Sequence, residues 1–219
     1  MFREDAMKRA RVLLADDHRI LAEGLRSLLE PEFDLVDIVE DGRTLVTRAR
    51  ELSPDVIVVD ITMPLLNGLE AIQQLKKAAV PAKVVFLTMH QDVTYAAKAF
   101  ELGASGFVLK HSAPSELVTA IREALAGRTY VTPLIAGELM QAYRDGAGRR
   151  QDPAVDLTPR QREALQLFAE GRSAKEVAAI LQISPRTAEF HKASILKMLG
   201  IRTTAELAQY AVRHGIIAS

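Results

Sequence analysis

Five residues able to do chemistry stand directly behind short apolar runs in the first half of the chain. Asp16 and Asp17 follow Val12–Ala15, Asp60 follows Val56–Val59, Thr88 follows Val84–Leu87, and Lys110 follows Gly106–Leu109. An ionised carboxylate is costly to bury. Taken singly, Asp60, with Pro64 and Gly68 close behind it, reads as a turn acid at a strand end. Lys110 alone reads as a solvated strand-end lysine. Together the five describe a reaction. Close carboxylates repel at neutral pH unless a cation joins them, and hard oxygen donors with room for water suit a magnesium-like divalent ion. Such an ion neutralises and orients a phosphoryl group. Asp60 can then act as nucleophile and become an aspartyl phosphate. Lys110 offers positive charge to the phosphate oxygens, and Thr88 offers a hydroxyl.

The elements that must bring these residues together are legible as alternating strands and helices. Strands are expected at Val12–Ala15, Leu35–Val39, Val56–Val59, Val84–Leu87 and Gly106–Leu109. Helical patterns fall between and after them: Ile20–Leu29, Thr44–Leu52, Leu69–Lys77, Val93–Leu102 and Pro114–Ala126. Five β-α units of this length predict an α/β domain, a five-stranded parallel doubly wound sheet. Such sheets bind ligands outside the carboxyl ends of their strands, where the strand order switches. That is where all five residues stand.

Composition narrows the rest. The chain has 219 residues, no cysteine and no tryptophan, which excludes disulfide frameworks and thiolate chemistry. No apolar run reaches membrane-spanning length, so no membrane partner is expected and a cytoplasmic location is. Residues 1–10 carry mixed charges and no apolar signal region, and are expected to be a short frayed leader. Net charge is zero, but residues 1–126 hold 15 basic against 19 acidic residues and the remainder 13 against 9. An acidic first half and a basic second half suggest two domains with different partners, the second facing nucleic acid.

The second half reads as helices throughout. A short helix is expected from Thr132-Pro133 to about Tyr143, then a polar, Gly-rich flexible linker over Arg144–Pro153. Thr158 caps a helix that has Pro159 at its first position and stops at Gly171. Ser173 and Glu176 form a capping box for the next. A third opens at Ser184-Pro185 and stops at Gly200, and a fourth runs from Thr203 or Thr204 to about His214. Two helices joined by the tight turn Gln182-Ile183 suggest helix-turn-helix DNA binding. On the third helix Ala188, Ile195, Leu196 and Leu199 recur at core spacing, with His191 beside them as a packed, hydrogen-bonded histidine. Arg186, Glu189, Phe190, Lys192, Ala193 and Lys197 lie elsewhere, where a recognition helix meets DNA. The expected division is 10–127, 128–154 (linker with a short helix) and 155–219, an all-α four-helix domain.

The acid pair Asp16-Asp17, Asp60 with Met63-Pro64 and Gly68, then Thr88 and Lys110, resemble the receiver domains of two-component response regulators. Leu157-Thr-Pro-Arg-Gln-Arg-Glu163, Ala174-Lys-Glu-Val-Ala178 and Ser184-Pro-Arg-Thr-Ala-Glu-Phe-His-Lys192 are similar to the LuxR-type DNA-binding domain. The whole chain resembles the NarL/FixJ group of response regulators. That resemblance implies a transcription regulator, not an enzyme, phosphorylated on Asp60 by a sensor histidine kinase. It implies Mg2+ held by Asp17 and Asp60, with Asp16 assisting and the Thr62 backbone carbonyl contributing. It implies a switch made of Thr88 and Phe107, where many relatives have Tyr; Phe107 reads equally well as plain core. Lys175, Arg186, Lys192 and Lys197 are then expected on the DNA backbone, and Glu189, Phe190 and Ala193 on bases of a double-stranded operator bound by a phosphorylated homodimer. Lys110 is followed by His111, a surface loop residue standing where many receivers have proline, which leaves open the cis peptide of those relatives. Aspartyl-phosphate phosphatases use a similar nucleophile but usually need a second acid two residues on, and Thr62 stands there. The main alternative is a phosphorylation-independent regulator with a receiver-like dimerisation domain.

Overall fold

The computed structural model describes residues 9–89, 91–144 and 157–217. Residues 1–8 of the leader expected over 1–10, and residues 145–153 of the linker expected over 144–153, lie outside them; Arg144 is described, and is helical. Apolar runs and helical stripes alternate as β1 (Arg11–Ala15), α1 (Arg19–Leu29), β2 (Asp34–Val39), α2 (Gly42–Leu52), β3 (Val56–Asp60), α3 (Gly68–Lys77), β4 (Lys83–Thr88), α4 (Val93–Glu101), β5 (Gly106–Leu109) and α5 (Ala113–Leu125). All paired strands are parallel, in the order β2-β1-β3-β4-β5-β6, with β6 spanning Tyr130–Val131. Side chains of a strand alternate between faces. Ile57 and Val59 therefore join the core under α2, α3 and α4, whereas Val56 and Val58 join the core under α1 and α5.

The sheet has six strands, not the expected five. The extra one, β6 (Tyr130–Val131), is too short to show a period, and pairing with β5 makes it a strand. Thr132 pins it. Its N–H donates to the Phe107 carbonyl at 3.0 Å, and its buried hydroxyl accepts from Leu109 N–H at 3.1 Å and donates to Glu116 at 2.7 Å. The expected short helix follows as α6 (Pro133–Arg144), and its Ile135 and Leu139 are buried in the α4-side core. No described peptide bond is cis, so Lys110–His111 is trans, and residues Lys110–Ser112 form a single 3-10 turn.

Gly68 shows how tightly the acidic loop is held. A Cβ there would collide with the Asp60 carbonyl oxygen. Overpacking of this kind costs about 1–3 kcal/mol, and here the obstacle is backbone that cannot swing aside. Gly68→Ala is expected to destabilise by that amount, read as a lowered denaturation midpoint with unchanged slope.

Four helices form the second unit: α7 (Pro159–Ala169), α8 (Ala174–Leu181), α9 (Pro185–Leu199) and α10 (Thr204–Arg213). Capping boxes open α7, α8 and α10, and the Ser184 side chain caps α9. Gly171 and Gly200 take left-handed φ of 82° and 67° at the helix ends, which favours glycine. Leu165, Phe168, Val177, Leu181, Ala188, Ile195 and Leu207 close one core. Among the described residues no helix is long and apolar enough to cross a membrane.

Candidate functional site

Strand order reverses between β1 and β3, and the carboxyl ends of those two strands carry Asp16-Asp17 and Asp60. Asp60 is 3% exposed and Asp16 fully buried. Lys110 Nζ donates to Asp60 Oδ2 at 2.7 Å and to Asp16 Oδ1 at 2.9 Å. Burial pushes the Asp60 carboxyl up to about 6; Lys110 opposes the rise and Asp16 adds to it. Burial pulls Lys110 down, but the two carboxylates outweigh it and its pKa ends above the ordinary lysine value. At neutral pH the centre therefore holds an anionic Asp60 against a firmly charged Lys110. Thr88 is buried at the end of β4, beside this centre in the strand order. Phe107 is fully buried on β5 in register with Phe86. His111 is exposed, as expected of a loop residue.

Asp17 sits at the mouth of the pocket, a quarter exposed. Its Oδ1 is a buried atom without a hydrogen-bond partner, whereas Asp16 Oδ2 lies 2.9 Å from Lys110 Nζ. The donors offered by Asp16, Asp17, His18 and Asp60 lie within 4.8 Å of one another. A buried oxygen without a donor is costly, and a divalent cation satisfies it. The residues present thus fit the expected ion. The Thr62 N–H lies 3.3 Å from Asp60 Oδ1.

The second unit docks on the loop that leaves Asp60. Gln166 of α7 is fully buried; its Nε2 donates to the Met63 carbonyl and its Oε1 accepts from Asn67 N–H, both at 2.8 Å. Glu170 accepts from Leu65 N–H at 2.9 Å. Leu65 has a left-handed φ of 65°, unusual for a bulky residue, and its side chain packs on the second unit's core. Arg43 meets Glu163 at 2.6 Å, and Arg162 meets Glu70 at 2.5 Å.

Docking through α7 leaves the outer face of α9 open. Arg186, Glu189, Phe190, Ala193 and Lys197 are exposed, as is Lys175 on α8. Phe190 is 70% exposed, a large apolar surface with no core to fill. Lys192 is half-buried, its Nζ 5.2 Å from the centre of the Phe168 ring. His191 is packed as expected, but its Nδ1 has no hydrogen-bond partner, contrary to expectation.

Residues 12–122 match the response regulator receiver domain, and residues 155–211 match the bacterial regulatory proteins of the luxR family. The chain belongs to the two-component response regulators with a LuxR-type DNA-binding domain. This regulator is 38% identical over 212 residues to the transcriptional regulatory protein MctR of Rhizobium johnstonii, covering 95% of each chain. It is 30% identical to the response regulator UvrY of Escherichia coli, covering 94% of each. Among solved structures, a LuxR-family response regulator from Aurantimonas sp. SI85-9A1 matches 62% of this chain and 99% of its own, at 41% identity and a TM-score of 0.59. RcsB from Salmonella enterica serovar Typhimurium, bound to promoter rprA with the phosphomimetic BeF3-, matches 92% of this chain and 98% of its own, at 28% identity and a TM-score of 0.60.

Sequence reasoning missed His18 and the docking residues Glu163 and Gln166. His18 follows the acid pair directly, so its place was a signal. Glu163 and Gln166 look like a solvated face, because Ala164, Leu165, Leu167 and Phe168 already account for a buried side of α7.

Proposed function

We propose that a sensor histidine kinase phosphorylates Asp60, and that the phosphoryl group releases α7 and favours a cytoplasmic homodimer that binds a double-stranded operator. The observation that carries this reading is that Gln166 of the DNA-binding domain grips the backbone of the very loop that leaves Asp60. An Asp60 carboxylate oxygen attacks phosphorus, the bond from phosphorus to the donor's imidazole nitrogen breaks, and that nitrogen takes up a proton. Asp16, Asp17, Asp60 and the Thr62 carbonyl would hold Mg2+, which supplies charge neutralisation for the phosphoryl oxygens. Lys110 turns its ammonium from the Asp60 carboxylate to a phosphoryl oxygen, and the Thr88 hydroxyl is drawn to another. Phe107, on the strand that pairs with β6, then repacks. A loop displaced by this change no longer presents Met63 and Asn67 to Gln166. Two-state repacking of this kind turns a local charge change into a domain movement.

Lys175, Arg186, Lys192 and Lys197 meet DNA phosphates in this reading, and Glu189, Phe190 and Ala193 face base edges. Each phosphate contact contributes about −0.9 to the slope of log affinity against log salt. Lys197→Ala is therefore expected to flatten the slope by about 0.9 per protomer with sequence preference unchanged. Glu189→Ala is expected to leave the slope alone and change the preferred bases. Operator selection from random DNA, followed by salt titration, reads both effects. The exposed face of α9 favours one alternative, DNA binding without phosphorylation. Equal operator affinity with and without a phosphodonor would establish it.

A further inference from the structure

We propose that His18 is a metal ligand, and that it biases the acidic pocket toward nitrogen-accepting divalent ions such as Mn2+ over Mg2+. This rests on the reading that the pocket holds a divalent cation. His18 lies between β1 and α1 at the N-cap position, yet its side chain makes no capping hydrogen bond. Its backbone N–H donates to Asp16 Oδ1 at 2.9 Å, which draws the residue over the pocket. The ring is more than half exposed, but Nδ1 is turned inward, 2.9 Å from Asp17 Oδ1 and 3.3 Å from Asp16 Oδ1. Nδ1 is also 3.3 Å from Lys110 Nζ. An ammonium has no lone pair and can only donate, so in the tautomer with the proton on Nε2 the Nδ1 lone pair faces the pocket.

The donor atoms of Asp16, Asp17, His18 and Asp60 all lie within 4.8 Å of one another, a span one ion can bridge. Asp17 Oδ1, beside Nδ1, is a buried oxygen with no hydrogen bond of its own. Carboxylates alone suit Mg2+, which keeps oxygen ligands and gives up its water reluctantly. An imidazole changes the preference, because first-row transition ions take nitrogen donors more readily than Mg2+ does, Mn2+ being the weakest of that series. The site is thus a mixed set of three carboxylates and one imidazole.

The test uses the whole protein with Mn2+ as probe. Pulsed electron paramagnetic resonance on the Mn2+-loaded wild type is expected to show coupling to one directly bound nitrogen, and His18→Ala is expected to lose it. Even outer-shell changes cost about 10–100-fold in metal affinity, so loss of a ligand is expected to weaken Mn2+ by about tenfold or more. Mg2+ affinity, read by competition, is expected to stay unchanged. Bound Mn2+ without nitrogen coupling, or an equal loss for both ions, overturns the role of His18 and leaves the phosphorylation reading intact. Failure of the wild type to bind either ion overturns both. The wild-type spectrum does not depend on how the variant folds, and the unused cap makes His18→Ala a mild change.

Discussion

Incubated with a small-molecule phosphodonor and Mg2+, the wild-type protein is expected to gain one phosphoryl group by intact mass, and Asp60→Asn none. The pocket offers several carboxylates, and Lys110 reaches two of them, Asp60 and the more deeply enclosed Asp16. Asp60 Oδ2 lies 2.7 Å from Lys110 Nζ, so a phosphoryl group formed there finds a cation in place. Burial raises Asp60 to about 6, so it remains ionised and more basic than an exposed carboxylate at neutral pH. Asp16 is fully enclosed, and Asp17 stands at the mouth with no lysine hydrogen-bonded to it. Asparagine preserves the shape and removes the nucleophile, and its folded state can be checked by thermal unfolding. Adduct on folded Asp60→Asn would move the acceptor elsewhere. No adduct on the wild type would favour phosphorylation-independent regulation.

Gln166→Ala is expected to open the molecule. It removes both side-chain bonds to the loop and leaves the Met63 carbonyl and Asn67 N–H unpaired while the units stay docked. Each orphaned buried group costs about 1–3 kcal/mol, so docking should weaken by about 2–6 kcal/mol. Even the lower figure is a shift of about 30-fold in the docked-to-open ratio. Release also lets Leu65 leave its left-handed conformation, which adds to the opening. Small-angle scattering is expected to show a larger radius of gyration, and operator affinity without phosphodonor is expected to approach that of the phosphorylated wild type. A compact Gln166→Ala protein, still dependent on phosphodonor, would remove α7 docking from the mechanism.

The first-half strands and their rim were legible for a physical reason. A buried parallel strand must be an apolar run, and a doubly wound sheet places every run's end on one edge. Asp16, Asp17, Asp60, Thr88 and Lys110 could therefore be grouped before any distance was known. Caps and stops were equally local: Thr158, Ser173 and Ser184 open helices through bonds to residues within three positions, and Gly171 and Gly200 end them. The apolar stripe of α9 separated its exposed face from its core face.

Other features were decided by contacts between residues far apart in the chain. Two residues, Tyr130 and Val131, have no period to read, and become a strand because β5 offers an unpaired edge and Thr132 closes on Leu109. The ring of His18 turns inward because Lys110, 92 residues away, reaches the same pocket. Gln166 meets Met63 across 103 residues, and only docking turns that polar position of α7 into a buried one. By itself the sequence determined the strands, the helix ends and the residues on the rim, because periodicity and capping act over a few positions. Only the tertiary structure decided which polar residues face one another, because hydrogen bonds between distant segments leave no periodic mark in either one.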